Sequence, residues 1–319
     1  MKITAIVLIY NSRKFIPAVF DSIQSQTFKD LETVAVINGD NDGSEKMIRE
    51  KYPKVKIINP GGNLYFSKGN NLAIKQSDGE LLLLVNHDLV LENDYAEKLA
   101  HAFNDPSVGA ATGKLLRYDF DKGEKTNTID STGITMNASG RARDRGQLQE
   151  DHGQFDDQTN VFAVSGAGPM YRRSALEKTK YCANGICEYF DEDFEAYWED
   201  VDLSWRLNRA GFKNVYVPEA KAYHGRTAGQ SKGGYFHFFH FIKHHRQISP
   251  NIRKLNYRNH ILMYLKNSPS VSLRFIFREL LMLVYVTIFE TSTLAIVPSL
   301  IKLIPKELEK SRSLNKPTL

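Results

Sequence analysis

"GELLLLVNHDLVLEND", residues 79–94, is the stretch on which the fold turns. Its apolar run from Leu81 to Val85 does not alternate with polar residues, so a strand there is covered on both faces, as in a parallel sheet between helices. An amphipathic segment, "NDYAEKLAHAF", follows it. The same alternation runs upstream: "ITAIVLIY" then "FIPAVFDSIQSQ", "ETVAVIN" then "GSEKMIREKY", and "VKIINP". Residues 1–110 therefore read as βαβ units, an α/β Rossmann-like sheet that is mostly parallel with flanking helices. Ligands of such sheets sit at the carboxyl ends of the strands. There the chain places Asn11, then Asn38, Gly39 and Asp40, then Asn59 to Asn63, then Asn86, His87 and Asp88.

The rest of the chain has other textures. Residues 111–165, rich in Gly, Thr, Asp and Arg, predict hairpins and an irregular excursion. From residue 234 the pattern turns helical, and residues 271–305 alternate apolar blocks with Arg274, Arg278, Lys302 and Lys306. The apolar run 280–289 is shorter than the roughly 18 residues of a spanning helix. The expectation is amphipathic helices on a membrane surface, their cations meeting anionic headgroups, with closure of the protein core as the alternative. The chain divides accordingly into 1–233, with a front half to about 110, a helical region 234–306, and a tail 307–319.

The 319 residues are 42% hydrophobic and 25% charged, and 42 basic against 37 acidic residues give a net charge of +5. That excess is too mild and too dispersed to indicate nucleic acid. The amino terminus lacks the pattern of a secretory signal, and Cys182 and Cys187 form neither a metal-ligand spacing nor a disulfide framework, so the expected setting is cytoplasmic and reducing.

Three constellations carry chemistry. Asn86 and Asp88 fall on one side of the chain after an apolar strand, where a carboxylate can share Mg²⁺ with substrate phosphates. The loop "NPGGNLYFSKGNN", residues 59–71, offers glycines, the amides Asn63, Asn70 and Asn71, and Lys68 for phosphate charge, although no P-loop pattern occurs. Finally "FEAYWEDVDLSWRLNRAGF", residues 194–212, predicts a helix from 199 to 210 with Glu199, Asp200 and Asp202 in its first turn. Helix capping and dipole account for one or two of these acids. They do not account for Asp191, Glu192, Asp193 and Glu195 beside them, a crowding that costs stability unless a metal, base or substrate uses it. His224 ends the strand-like "VYVPEAKAYH".

Taken in order, "IVLIYNS", "VINGDNDGS", "GGNLYFSKGNN", "LLLLVNHDLVL", "VSGAGPMYRRSAL", "FDEDFEAYWEDVDLSWRLNRAGF" and "VPEAKAYHGRTAG" resemble the family 2 glycosyltransferases with a GT-A fold, above all the rhamnosyltransferase-like branch, from residue 3 to about 267. The resemblance implies inverting transfer of a sugar from a dTDP- or UDP-sugar to a hydroxyl of a glycan or lipid-linked glycan in cell-surface polysaccharide synthesis, at the inner face of the membrane. It makes Asp200 the general base and gives Mg²⁺ or Mn²⁺ to Asp88 and His224. Tyr10, Asn11, Asn38, Asp40, Asn63, Lys68, Asn71, Asn86 and Asp88 become donor residues, and Gly166, Trp198 and Glu199 acceptor residues. Ile37 departs from the family, standing where an Asp usually contacts the nucleobase, and so leaves open both the donor and a catalytically impaired membrane scaffold. A galactofuranosyl or other hexosyl transfer is a further alternative. A sugar nucleotidyltransferase would need a glycine-rich basic loop after the first strand, which "IYNSRKFIPAVF" does not supply. His237, His240, His244 and His245 read better as part of a helix near the donor site or membrane than as a zinc site.

Overall fold

The computed structural model describes residues 1–39, 41–183, 185–226, 245 and 248–314. The front half runs β1 (Ile3–Ile9), α1 (Ile16–Gln24), β2 (Leu31–Ile37), α2 (Ser44–Lys51), β3 (Lys56–Ile58), α3 (Tyr65–Lys75) and β4 (Leu81–Val85). These strands lie in the order β3, β2, β1, β4, all parallel. Period-two geometry explains the unbroken apolar run: Leu81, Leu83 and Val85 join a core with Val19 and Phe20 of α1, whereas Leu82 and Leu84 join a second core with Ala73 and Ile74 of α3. Each such leucine contributes about 1.5–3 kcal/mol by leaving water.

Beyond β4 come β5 (Leu89–Leu91), α4 (Tyr95–Ala102), β6 (Val108–Asp119), β7 (Glu124–Ser131), β8 (Ile134–Met136), β9 (Ala142–Asp144), β10 (Asn160–Val161) and β11 (Met170–Arg172). There follow α5 (Arg173–Thr179), β12 (Tyr181–Ala183), β13 (Ile186–Glu188), α6 (Glu199–Arg209) and β14 (Lys213–His224). The mixed sheet of ten strands continues β4, β11, β6, β14, β10, with β5 on β14 and β7 on β6. The expected excursion resolves into the β6–β7 and β8–β9 hairpins. It is anchored by a long central strand, β6, whose small residues Gly109 to Gly113 hid it from a hydrophobicity reading.

Helices α7 (Pro250–Asn267), α8 (Leu273–Phe289) and α9 (Val297–Leu314) complete the chain. Leu262 and Met263 of α7 and Leu300 of α9 bury against Phe194 and Val201, so these two helices close the core, contrary to the expectation that all lie on a membrane. The segment from 307 is likewise no tail: it is helical to Leu314, and Glu307 and Lys310 are fully buried. By contrast α8 exposes Phe277, Leu280, Leu281, Val284 and Ile288. No single helix among the described residues is long and apolar enough to cross a membrane, and the pair following Leu273 bends by 118°.

Two further readings change. The antiparallel β12–β13 pair sets Cys182 directly opposite Cys187, and they form a disulfide, so these cysteines no longer argue for a reducing compartment. His237, His240 and His244, together with the boundary at 233/234, lie outside the described residues. His245 makes a 2.9 Å contact through Nδ1 with Glu290 Oε1.

Candidate functional site

The donor candidates gather where β1, β2 and β4 end. Asn11 takes a positive φ of 47°, and its Oδ1 accepts from the Asn41 amide at 3.1 Å, bridging the turns after β1 and β2. Tyr10 is half exposed there, and Lys68 projects from the exposed side of α3. Asn63 forms an Asx turn, its Oδ1 accepting from the Tyr65 amide at 2.7 Å. Asn86 is partly buried beside Asp88.

Some donor candidates have other partners. Asn38 is buried, donates to the Tyr65 carbonyl at 3.0 Å and accepts from the Leu64 amide at 2.5 Å, so it shapes the donor loop. Asn71 is buried too, donating to the Phe190 carbonyl at 2.8 Å and accepting from the Phe190 amide at 2.8 Å. Its work is to tie α3 to the acidic turn, a correction to its reading as a donor residue. Ile37 is part of the hydrophobic core. Asp40 lies outside the described residues.

Strand pairing assembles the cation-ligating candidates. In the β5–β14 ladder His224 pairs with Leu89, which sets Asp88 against the imidazole: His224 Nε2 is 3.2 Å from Asp88 Oδ1. Its other nitrogen, Nδ1, lies 2.8 Å from Asp130 Oδ2. Asp130, on β7, is fully buried, and Arg117 and Arg226 also reach it at 2.9 and 3.0 Å. Burial opposes the imidazolium, but the two carboxylates outweigh it and raise His224 to about 9. Asp130 was not singled out from the sequence: in "NTIDSTG" it looks like any strand carboxylate, and only the fold brings it to a residue 94 positions away.

The Asp200 carboxylate is presented by a strained turn. Glu195, Tyr197 and Trp198 hold φ of 62°, 71° and 74°, a conformation costly for residues with a β-carbon. Asn259 of α7 restrains it, its amide donating to the carbonyls of Phe194, Ala196 and Tyr197 at 2.7, 2.9 and 3.0 Å. Trp198 is fixed by its indole N–H donating to Asn256 Oδ1 at 3.1 Å. Asp200 Oδ2 accepts from the Gly166 amide at 2.9 Å, and a β-carbon at Gly166 would come within 3.3 Å of that oxygen. Burial lifts the Asp200 carboxyl to about 6, against the Gly166 and Val201 amides, which favour its ionised form. Burial and the neighbouring Asp200 raise Glu199 well above the carboxylate range, which works against a dipole-complementing charge at the foot of α6.

The remaining acids are structural. Asp202 is fully buried, with Arg206 Nε at 2.9 Å, Lys266 Nζ at 3.2 Å and the Asn267 amide at 2.7 Å, so it is not a surface cap. Asp191, Asp193 and Glu307 converge closely enough to suit a metal ion, but ammonium groups already occupy that position. Lys310 reaches Asp191, Asp193 and Glu307, the last two at 2.6 and 3.0 Å, and Lys266 reaches Asp191 and Glu307. This site does not fit a divalent cation. Asp88 and His224, with Asp130 fixing the imidazole from behind, have the donor set and the supporting carboxylate that one requires.

The fold as a whole is that of the GT-A transferases: the mannosyltransferase PcManGT from Pyrobaculum calidifontis, solved with GDP-Man and Mn²⁺, superposes with a TM-score of 0.53 at 16% identity, covering 98% of this chain and 73% of that one. Residues 4–180 match the sequence profile of glycosyl transferase family 2, and the chain belongs to that family. It is 26% identical to the O-antigen biosynthesis protein RfbC of Myxococcus xanthus over 72% of this chain and 18% of the relative. With an N-acetylglucosaminyltransferase of Bradyrhizobium diazoefficiens it shares 29% over 63% of this chain and 40% of that protein. The chain thus spans less than half the length of these two relatives.

Proposed function

We propose that the protein is an inverting, metal-dependent glycosyltransferase. It moves a sugar, rhamnose or a similar hexose, from a dTDP- or UDP-sugar to a hydroxyl of a glycan or lipid-linked glycan in cell-surface polysaccharide synthesis. The observation that carries this reading is the Asp200 carboxyl, lifted to about 6 and aimed by the Gly166 amide, in a chain whose crevice also presents Asp88 and His224. An acid of that strength is ionised at neutral pH and still basic enough to take the acceptor proton as its oxygen attacks the anomeric carbon. Trp198, Glu199 and Gly166 form the acceptor side around it. On the donor side Tyr10, Asn11, Asn63, Lys68 and Asn86 face the nucleotide, with Asp40 assigned from the sequence alone. Mg²⁺ or Mn²⁺ held by Asp88 and His224 would supply charge to stabilise the leaving diphosphate. The Mn²⁺ in the mannosyltransferase and the names of the relatives support the class, and the latter put UDP-N-acetylglucosamine on the donor panel.

The test is nucleoside diphosphate release from dTDP-rhamnose, UDP-galactofuranose and UDP-N-acetylglucosamine with Mn²⁺ and glycan acceptors. Turnover with at least one pair is expected. No turnover, together with no metal-dependent nucleotide binding, would favour the scaffold alternative. Asp130→Asn removes the carboxylate behind His224 and is expected to weaken Mn²⁺ binding in the presence of nucleotide by about 10–100-fold, measured by titration calorimetry. Unchanged affinity would remove His224 from the ligand set.

The exposed apolar face of α8, beside exposed Arg274 and Lys302, is assigned to an anionic membrane surface at the inner leaflet. Phe277→Ser with Leu281→Ser is expected to abolish co-flotation with phosphatidylglycerol vesicles. Equal flotation of the wild type and this double variant would refute the assignment.

A further inference from the structure

A cavity of about 580 Å³ lies between the β8–β9 hairpin and helices α7 and α8. Its wall carries Arg141, Arg143, Arg226, Arg253 and Arg278 against the acids Asp144 and Glu290. Internal pairing absorbs only part of this charge. Arg226 is held by Asp130 and Asp144 at 3.0 and 2.9 Å, and Arg278 by Glu279. Among the described residues Arg253 has Glu290 only at 3.6 Å, and its Nε is buried without a hydrogen-bond partner. Arg143 is exposed and forms no ion pair among the described residues.

Position adds to charge. Trp198, two residues before the proposed base, lines the cavity, as does Asp144, whose charge helps to raise Asp200. At the other side Met282 and Val286 of α8 face the cavity, while Phe277, Leu281 and Val284 of the same helix face out. The space therefore runs from Trp198, close in sequence to the proposed base, to the helix that carries the apolar surface.

We propose that this cavity receives the phosphate of an anionic acceptor, a phosphate- or diphosphate-linked lipid whose chain lies along α8, with Arg253 and Arg143 binding the anion. The inference rests on the glycosyltransferase reading and names its acceptor class. Guanidinium forks match phosphate oxygens in pairs, and a buried Nε–H without a partner is a donor whose desolvation such an oxygen would compensate. A neutral glycan would leave the excess of cations unmatched, and a free anion would make no use of the adjoining apolar face.

The experiment uses the full chain and its tryptophan fluorescence, with Trp198→Phe as the control that assigns the signal. Farnesyl diphosphate is expected to change the emission of the wild type and not of Trp198→Phe, and inorganic pyrophosphate to do so only at higher concentration. Farnesol, which lacks the anion, should give no response. Arg253→Gln and Arg143→Gln should each weaken farnesyl diphosphate binding by about tenfold or more, the size of one lost hydrogen bond to a charged group. Arg143, being exposed, tests the idea without threatening the fold. Unchanged affinity in both variants, or farnesol binding as well as its diphosphate, would overturn the proposal. Pyrophosphate binding as tightly as the lipid would overturn its acceptor source. Nucleoside diphosphate melting shifts with Mn²⁺ are read on the same Arg143→Gln protein. A retained shift with a lost lipid response supports the cavity; loss of both places the anion in the donor site and overturns it. Lipid binding together with no turnover of glycan acceptors and no metal-dependent nucleotide binding would refute the enzymatic reading instead.

Discussion

Asp200→Asn is expected to lower turnover by about 10²–10⁴-fold, the usual contribution of a positioned general base, while nucleotide binding and the unfolding midpoint stay near wild type. The amide oxygen of Asn can still accept from the Gly166 amide, which now meets Asp200 Oδ2 at 2.9 Å, so the turn into α6 keeps that anchor, while the 2.8 Å bond from the Val201 amide to Oδ1 is lost together with the proton acceptor, at a cost of about 1 kcal/mol. The pH profile provides the second arm. A base works only when ionised, and the Asp200 carboxyl lies at about 6, so with Mn²⁺ kept saturating, which holds His224 deprotonated, kcat/KM should be flat above that value and fall tenfold per pH unit below it. In the residual activity of Asp200→Asn this acid limb should disappear. Retention of more than about a tenth of the activity would remove Asp200 from that role, given the size of effect a base supplies. Asp202→Asn is the contrasting variant. Its loss of activity, if any, should track loss of folded protein, because Asp202 faces Arg206 and Lys266 inside the core rather than the acceptor.

What could be read in advance followed from local chemistry. The parallel front of the sheet was visible because Leu81 to Val85 and Ile3 to Ile9 are apolar on both faces, and α6 because its first turn and Gly211 punctuate it. Asp88 and His224 stood out as polar residues ending apolar strands. Their mutual contact did not, because it depends on β5 running antiparallel to β14 across more than 130 intervening residues. Asp130 and Asn259 were invisible for the same reason: each acts on a residue brought near by topology alone. Local reading did not show the backbone partners of Asn38 and Asn71, since an amide next to a glycine-rich loop suits a ligand and a backbone carbonyl equally well. The acidic crowding is plain in the sequence, but its cause lies far along the chain. The cations that answer Asp191 come from positions 75 and 119 residues later, Lys266 in the helical region and Lys310 in the stretch expected to be a tail.

That network carries the largest expected effect on stability. Lys310→Met keeps much of the aliphatic volume of the side chain but removes a fully buried ammonium facing Asp191, Asp193 and Glu307. Removing one partner of a buried ion pair leaves the other charge uncompensated, at a cost of about 3–5 kcal/mol. The deficit should concentrate on Asp191, which is fully enclosed between Lys310 and Lys266 and is held well below the carboxylate range: burial raises its pKa, but the two lysines outweigh that effect. Partial relief comes from Glu307, which burial already lifts to about 8 and which therefore ionises last in the cluster. The measurement is the urea midpoint of the full chain, followed by circular dichroism and by tryptophan emission, since Trp198 and Trp205 both pack where α7 meets α6. If the helices close the core as their burial indicates, Lys310→Met should unfold at clearly lower urea by both probes, and Asp191→Asn together with Lys310→Met should recover part of the loss because the orphaned charge is gone. A midpoint unchanged by Lys310→Met would mean that α9 does not hold Asp191 in solution. The acidic turn before α6 would then need another cation.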